Sequence, residues 1–150
     1  MPWVYRLWNA GVLVPLVGSS GKDSNKTPVG AMRTLVPAHQ RSDWVSAVRA
    51  GLIVATTGPR IDFTVNDSTI SGKARSLTPF GELELVANGQ VVATTTEELR
   101  SLTHPARQDG WSALRVRGAN GAFAHTSPIA AGTPTRNPEA VAALLKLTEQ

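Results

Sequence analysis

The clearest pattern along the chain is an alternation of apolar and polar residues that is typical of β-strands. RIDFTVND, residues 60–67, places Ile61, Phe63 and Val65 on one side and polar residues on the other. A strand whose two faces differ in this way lies with one face on a core. The segment therefore predicts a half-buried strand.

Other runs extend this pattern over much of the chain. LIVATTG and VLVPLVG are apolar runs that predict buried strands, although Pro15 interrupts the second. Asn88-Gly89 separates two strand-like runs and predicts a hairpin, because both central positions of such a turn need positive φ. WSALRVR predicts a strand with Leu114 and Val116 on one face and arginines on the other. A run of about five to seven strands favours a β-sandwich.

Three helices are predicted around these strands. The first has an apolar stripe and ends near Gly11. The second is capped by Ser42 and the third by Asn137, with Pro138 at its first position. The inward residues are predicted to be Val4, Leu7 and Trp8 in the first helix, Trp44, Val45 and Val48 in the second, and Val141, Leu144, Leu145 and Thr148 in the third.

The fold class that follows is mainly β with flanking α. We expect an antiparallel β-sandwich preceded by a short α/β segment and followed by a C-terminal helix. A chain of 150 residues is one domain by length. Its parts are residues 1–40 for the α/β segment, 41–132 for the sandwich and 133–150 for the helix.

Composition narrows the classes of function. The chain has no cysteine, which excludes disulfides, thiolate nucleophiles and thiolate zinc sites. The net charge is +4, but the basic residues are scattered, whereas a nucleic-acid footprint concentrates them on one face. No window approaches the roughly 20 apolar residues of a membrane span, and the start resembles a signal peptide only weakly. We expect a soluble, cytoplasmic protein that binds neither nucleic acid nor membrane.

The loop GSSGKDS, residues 18–24, has glycine, lysine and serine but not the spacing of a phosphate-binding loop. That motif needs four residues before its Gly-Lys pair and a hydroxyl after it, whereas here two precede and Asp23 follows. Asp23 is a candidate metal ligand, because a loop after a buried strand is a common place for catalytic groups. The alternative is a turn aspartate that bonds its own backbone.

Histidine and tryptophan supply the remaining candidates. The three histidines are far apart, and none has metal-ligand spacing. His125, in FAHTSP, is a structural histidine or a site residue. Trp111 begins a strand and belongs either to the core or to a sugar-binding surface near the GANG turn.

Several segments in order resemble the C-terminal portion of PHP-type metallohydrolases related to carbaryl hydrolase. The segments are YRLWNAGVLVPLVGSSGKDSN, VGAMRTLV, WVSAVRAGLIVATTGPRIDFTVND and WSALRVRGANGAFAHTSPI. The resemblance implies that Asp23 matches an aspartate of the family's metal site, while the His-x-His motif and the barrel are not in this chain. Thr57 stands where the family commonly has asparagine. Arg33 and His125 match positions with structural or substrate-facing roles.

This resemblance sets the expectations for function. The leading one is a non-catalytic accessory module that forms a homo-oligomer, because the faces that would pack on the family's barrel need a new partner or the missing barrel domain itself. Those faces are predicted to comprise Trp3, Leu7, Trp8, Val12 and Leu16. One alternative is a residual hydrolase that binds zinc or manganese weakly through Asp23 and His125 across an oligomer interface. The other is a sandwich that binds a carbohydrate or another small ligand.

Overall fold

The computed structural model describes residues 2–66, 69–96, 101–105, 109–118, 121–130 and 137–146. The helices are α1 Pro2–Asn9, a 3₁₀ helix Ala38–Asp43, α2 Trp44–Arg49 and α3 Pro138–Leu145. The strands are β1 Arg33–Leu35, β2 Val54–Thr56, β3 Arg60–Asn66, β4 Thr69–Arg75, β5 Glu82–Ala87, β6 Gln90–Thr95, β7 Ser101–Pro105, β8 Trp111–Arg117, β9 Phe123–Thr126 and β10 Ile129–Ala130.

The fold is mainly β, with antiparallel pairing throughout the described strands, as the sequence predicts. The larger sheet has the order β1-β2-β9-β8-β5-β6, and β10 pairs with β8 beyond the end of β9. The smaller sheet has the order β3-β4-β7. Because β1 pairs with β2, a strand from the predicted α/β segment belongs to the larger sheet.

The main core lies between the two sheets. Leu83 and Leu85 of β5 and Leu114 and Val116 of β8 point from the larger sheet toward Ile61, Ile70 and Ala74 of the smaller one. The opposite face of the larger sheet is buried as well, under α1 and the segment that follows it. A sheet covered on both sides has nearly continuous apolar strands. This explains why β5 and β8 are buried at almost every position.

The predicted hairpin is confirmed. Asn88 has φ 49° and Gly89 has φ 87°, which are the positive values that a tight two-residue turn between β5 and β6 requires. Asparagine tolerates this conformation better than other residues with a Cβ. The turn also places the Asn88 side chain next to the start of β8, where its Oδ1 accepts a hydrogen bond from Trp111 N at 3.0 Å.

The first helix ends as predicted but turns a different stripe inward. Gly11 has φ 83°, and Val12 N donates to Leu7 O at 3.0 Å, which is a glycine-based helix end. Tyr5 and Trp8 are the buried residues, whereas Leu7 is exposed, so its predicted inward position is wrong. The sequence pattern permitted either side because the helix also carries apolar residues on its outer face.

The predicted buried strand VLVPLVG is not a strand. Residues 12–18 form no strand and pair with neither sheet, and Val14 N donates to Val12 O at 3.0 Å in a tight turn. Side-chain hydroxyls replace the ladder: Leu16 N donates to Ser127 Oγ at 3.0 Å, and Gly18 N donates to Thr34 Oγ1 at 2.9 Å. Pro15 removes one backbone donor, which further weakens pairing. Leu16 is half-buried and Trp8 buried, so both are corrected from the predicted unpartnered set.

The second helix also differs from its prediction. Asp43 caps it, not Ser42, because its side chain accepts a hydrogen bond from Ser46 N at 3.3 Å. The 3₁₀ helix before it was not predicted. Ala47 is buried, while Trp44 and Val45 are exposed, so the predicted inward positions of these two residues are wrong.

The remaining differences concern the edges of the fold. Val65 and Leu145 are exposed rather than inward, and Thr148 lies outside the described residues. The cap of α3 is confirmed, since Asn137 Oδ1 accepts from Glu139 N and Ala140 N. Strand β4 was not predicted, because only one of its inward residues, Ile70, Gly72 and Ala74, has a large apolar side chain. No helix in the described part of the chain is long and apolar enough to cross a membrane.

The close approach of the two sheets at Gly72 gives a test of this packing. A Cβ at Gly72 would overlap Leu114 Cδ1, and Leu114 is fully buried. Gly72→Ala should therefore destabilise the protein by about 1–3 kcal/mol, as overpacking does. The measurement is the free energy of unfolding from urea denaturation.

Gly58→Ala is the matched control, because a Cβ there would meet no atom within 4 Å and neither glycine has a left-handed φ. That variant should be neutral or slightly stabilising, by up to about 1 kcal/mol. Equal stabilities of the two variants would contradict the sheet-to-sheet contact.

Candidate functional site

The most organised polar cluster lies on the face of the larger sheet beneath α1. Glu84 of β5 and Arg115 of β8 are direct cross-strand neighbours. Arg115 Nε donates to Glu84 Oε2 at 2.6 Å, and both side chains are largely buried. Both charges are removed from water, and each is paired with the other. Such pairing is what makes a buried charge tolerable.

Tyr5 joins this ion pair to His125. Its hydroxyl accepts a hydrogen bond from Arg115 Nη1 at 3.2 Å and lies 2.7 Å from His125 Nε2. His125 Nδ1 lies 2.7 Å from the carbonyl oxygen of Thr126, which can only accept. Nδ1 therefore carries the ring proton, and Nε2 accepts from the Tyr5 hydroxyl. We call Glu84, Arg115, Tyr5 and His125 the Tyr5 network.

Burial sets the charge states in this network. It lowers the pKa of His125 from 6.5 to about 4, and the Thr126 carbonyl offsets this only in part. Burial also raises the pKa of the Tyr5 hydroxyl. Burial alone would lower the pKa of Arg115, but the hydrogen bond to Glu84 and the nearby Tyr5 raise it overall. At neutral pH the network is one ion pair joined to a neutral tyrosine and a neutral histidine.

Aromatic rings enclose the network on one side. The ring centroids of Trp8 and Trp111 are 4.8 Å apart in an edge-to-face arrangement, and Tyr5 lies 5.0 Å from Trp111. Each indole N–H is satisfied: Trp111 Nε1 donates to Asn9 Oδ1 at 2.7 Å, and Trp8 Nε1 donates to Val14 O at 3.0 Å. The rings exclude water and so strengthen the polar contacts beside them.

The Tyr5 network contains groups that can relay protons, but its geometry holds α1 on the larger sheet. We call the hydrogen bonds of the Tyr5 hydroxyl to Arg115 and His125 the clamp. Both nitrogens of His125 and the Tyr5 oxygen are engaged by protein groups, and His125 is fully buried. A general base needs a nitrogen within reach of a substrate proton. The contacts instead fix α1 on the sheet, because Tyr5 is the one helix residue in the network.

Cavities open at several places on the surface of the described residues, and two of them combine polar and apolar lining residues. One, of about 280 Å³, lies beside Trp111 and is lined by Asn9, Leu13, Asn88, Asp109 and Asn137 among others. The other, of about 470 Å³, lies at the end of the sandwich, where Leu35, Leu52 and Phe63 meet Arg60 and Asp62. The first is mainly polar and the second mainly apolar.

The structure does not place the two predicted metal ligands in one described group. Asp23 lies exposed in the loop between α1 and β1, and His125 lies buried in β9. No group of three or more His, Asp or Glu side chains suited to a metal occurs within the described ranges. The metal-binding roles of Asp23 and His125 stay predictions.

The other predicted site residues have separate positions. Arg33 is exposed at the start of β1, at the edge of the larger sheet. Thr57 joins β2 to β9: its Oγ1 donates to Gly121 O and accepts from Phe123 N, each at 3.0 Å. Trp111 is buried against Tyr5 and Trp8 rather than exposed for stacking on a ligand.

Sequence reasoning missed the centre of the cluster. Tyr5 was not singled out, and Glu84 was not matched with Arg115. One signal was present, since ELELVA and WSALRVR each carry a charge between buried leucines or valines. Opposite charges at such positions favour a cross-strand pair. Nothing in the local pattern shows that Tyr5 reaches His125, 120 residues away along the chain.

Comparisons with known proteins add no family to this description. A scan against protein-family models, a search of curated proteins and a search of solved structures found no match for the chain. The resemblance to PHP-type metallohydrolases stays a prediction carried by the quoted segments. Function is therefore inferred below from the surfaces and contacts of the chain itself.

Removing the Tyr5 hydroxyl tests the clamp. Tyr5→Phe leaves the ring packing intact but takes a hydrogen-bond partner from both Arg115 and His125. Buried groups that lose a partner cost about 1–3 kcal/mol. We expect a loss of that size in the free energy of unfolding, measured by chemical denaturation.

Trp3→Phe is the control on the same helix, because Trp3 lies exposed on its outer face. Its effect should stay within about 0.5 kcal/mol, as for other surface substitutions. A Tyr5→Phe variant as stable as this control would contradict the clamp.

Stability should also depend on the protonation of His125. In the unfolded chain the His125 ring binds a proton below about pH 6.5. In the folded chain it does so only below about pH 4. Stability contributed by neutral His125 is therefore lost as the pH falls from 6.5 to 4, by up to roughly 3 kcal/mol. An NMR titration of the His125 ring gives the direct measurement, with an expected pKa of about 4. Titration near 6.5 would show that the ring is not buried in this way.

Proposed function

We propose that this chain is a non-catalytic interaction module that associates with a second copy of itself through an apolar surface built from α1 and the segment after it. The observation that carries the proposal is a set of apolar side chains within residues 3–17 that are between 37% and 61% exposed. We call this set the apolar ridge. It comprises Trp3, Leu7, Val12, Val14 and Val17.

The helical part of the ridge follows from the clamp. Tyr5 and Trp8 hold one face of α1 on the sheet, and Trp3 and Leu7, one turn apart, lie on the other face. Arg6 lies beside them, with its guanidinium carbon 5.1 Å from the Trp3 ring centroid. A helix with apolar residues on two sides needs cover on both. Among the described residues α3 also contacts α1, yet Trp3 and Leu7 remain exposed.

The part of the ridge after α1 offers backbone groups as well as side chains. Leu16 N and Gly18 N donate to side chains, whereas no hydrogen bond to a described residue is seen for the backbone of Val17. Exposed backbone groups of this kind can pair with a strand of another chain. A two-fold axis at Val17 would let two copies exchange both of its backbone hydrogen bonds.

Charge favours a second copy as the occupant. Residues 7–21 carry no charged side chain, so two copies meet without like-charge repulsion along this segment. Depletion of charge is a property of interface centres. A self-complementary, uncharged surface closes most simply about a two-fold axis.

The expected dimer is weak. A standard interface uses about 20–30 residues a side, more than a ridge of five apolar side chains supplies. Burial of partly exposed side chains must also offset the lost freedom of the two copies. We therefore expect a dissociation constant on the order of micromolar.

The non-catalytic part of the proposal is supported by the Tyr5 network. The histidine that a residual hydrolase would use has both nitrogens engaged by Tyr5 and Thr126. We propose that the module needs no metal cofactor and acts in the cytoplasm. Descent from the C-terminal portion of a PHP-type metallohydrolase is consistent with the ridge, which on that resemblance would face the family's barrel.

Sedimentation equilibrium across micromolar concentrations tests the proposal. The chain should form a reversible dimer, and Val17→Glu should shift it to monomer by placing two carboxylates in the interface. Because Val17 is exposed, the substitution should leave the thermal midpoint of the monomer nearly unchanged.

Val65→Glu is the matched control. Val65 is also an exposed valine, but it lies on β3 of the smaller sheet, on the far side of the larger sheet from α1. This variant should dimerise like the unaltered chain. A monomer at every concentration, or equal weakening by both variants, would overturn self-association through the ridge.

A further inference from the structure

The smaller cavity lies where four distant parts of the chain meet. The end of α1 contributes Asn9, the β5–β6 turn contributes Asn88, the approach to β8 contributes Asp109, and the cap of α3 contributes Asn137. Three of the four polar side chains are asparagines. Loops that converge at one end of a scaffold are a common place for a ligand site.

Internal hydrogen bonds fix the orientation of each of these amides. Asn9 Oδ1 accepts from Trp111 Nε1 at 2.7 Å, and Asn88 Oδ1 accepts from Trp111 N at 3.0 Å. Asn137 Oδ1 accepts from Glu139 N at 3.0 Å and Ala140 N at 3.2 Å. Because every partner is an N–H donor, each Oδ1 is identified as oxygen. No hydrogen bond from the Nδ2 groups to a described residue is seen, so each amide can still donate.

Gly110, which packs against the Asn88 side chain, keeps this arrangement in place. Gly110 has φ 75°, and a Cβ on it would overlap the Asn88 amide. The Asn88 side chain therefore lies directly on the Gly110 backbone, which holds the amide in one orientation. The donors are fixed before a ligand arrives, and this reduces the entropy lost on binding.

The described lining is rich in donors and contains no basic side chain. Its one charged residue is Asp109, so nothing described there supplies the positive charge that an anion requires. Hydroxyl oxygens accept hydrogen bonds from amides without carrying charge. Leu13 and the edges of Trp8 and Trp111 add an apolar wall for C–H groups.

We propose that this cavity binds a neutral polyhydroxylated ligand of single-ring size, such as a monosaccharide or cyclic polyol. The three amide Nδ2 groups donate to neighbouring hydroxyl oxygens on the ring. The volume of about 280 Å³ lies just below the usual range of about 300–1,000 Å³, which restricts the ligand to one ring. With few contacts available, the affinity is in the millimolar range, on the order of 1 mM.

The site differs from the sugar-binding surface predicted from the sequence. That prediction relied on an exposed Trp111, whereas the ring is buried and its N–H is taken by Asn9. Recognition here comes from amides around Trp111 instead of stacking on it. None of the apolar ridge side chains lines the cavity, although Gly11 and Leu13 of the same segment do.

Side-chain amide signals in ¹H–¹⁵N NMR spectra give a direct test. Methyl glucoside, methyl galactoside, methyl mannoside and myo-inositol are titrated separately, with sodium acetate as an anion probe. At least one neutral probe should produce saturable shifts in the Nδ2 signals of Asn9, Asn88 and Asn137. Acetate should produce none.

Asparagine-to-aspartate variants isolate the donors. Asn9→Asp, Asn88→Asp and Asn137→Asp each keep the oxygen that accepts the internal hydrogen bond but remove the Nδ2 donor. Aspartate is also a good helix cap and tolerates positive φ, so the fold should be retained. Each variant should weaken binding about five- to tenfold, as expected for one lost hydrogen bond.

Asn25→Asp is the matched control, since Asn25 lies exposed in the loop before β1 and does not line the cavity. It should bind the probe as the unaltered chain does. The proposal is overturned if no neutral probe shifts these amide signals, if acetate shifts them in preference, or if Asn25→Asp weakens binding as much as the cavity variants.

Discussion

The Tyr5 hydroxyl is the contact on which the second layer of this fold depends. It accepts from Arg115 on β8 and donates to His125 on β9, so one atom of α1 is bound to two strands. Without the helix, Glu84, Arg115 and His125 would line an open sheet face, and three aromatic rings would lose their contacts. The polar groups of the sheet and the aromatic rings therefore both depend on α1. The hydrogen bonds make the position of α1 specific, and the aromatic contacts make it favourable.

The position of α1 on the sheet determines which of its apolar side chains are exposed to solvent. A short helix has one inner side, and Tyr5 and Trp8 occupy it. Trp3 and Leu7 then have to point outward, and Val12, Val14 and Val17 of the segment after Gly11 are exposed as well. The helical part of the apolar ridge is the geometric consequence of the clamp. One helix with apolar residues on both sides thus contributes to the interior and to the exposed apolar surface.

Local patterns in the sequence predicted the parts of the fold that local chemistry decides. The hairpin at Asn88-Gly89, the Asn137 cap and the alternation around Leu114 and Val116 each depend on a few adjacent residues. The predicted strand VLVPLVG is wrong because a strand needs a neighbour to pair with. Its apolar composition cannot show that serine and threonine hydroxyls accept hydrogen bonds from its backbone N–H groups. His125 was recognised as a candidate, but its partner Tyr5 lies too far along the chain for any spacing rule.

The asparagines around Trp111 show how one side chain can serve both structure and binding. Their oxygens complete the fold: Asn9 and Asn88 satisfy the side-chain and main-chain N–H of Trp111, and Asn137 begins α3. Because an amide carries a donor beside its acceptor, an oxygen that is bonded internally leaves a nitrogen that can still donate. A set of capping and turn residues therefore becomes a set of oriented donors once their loops converge. The same bonds that stabilise the Trp111 corner preorganise the cavity beside it.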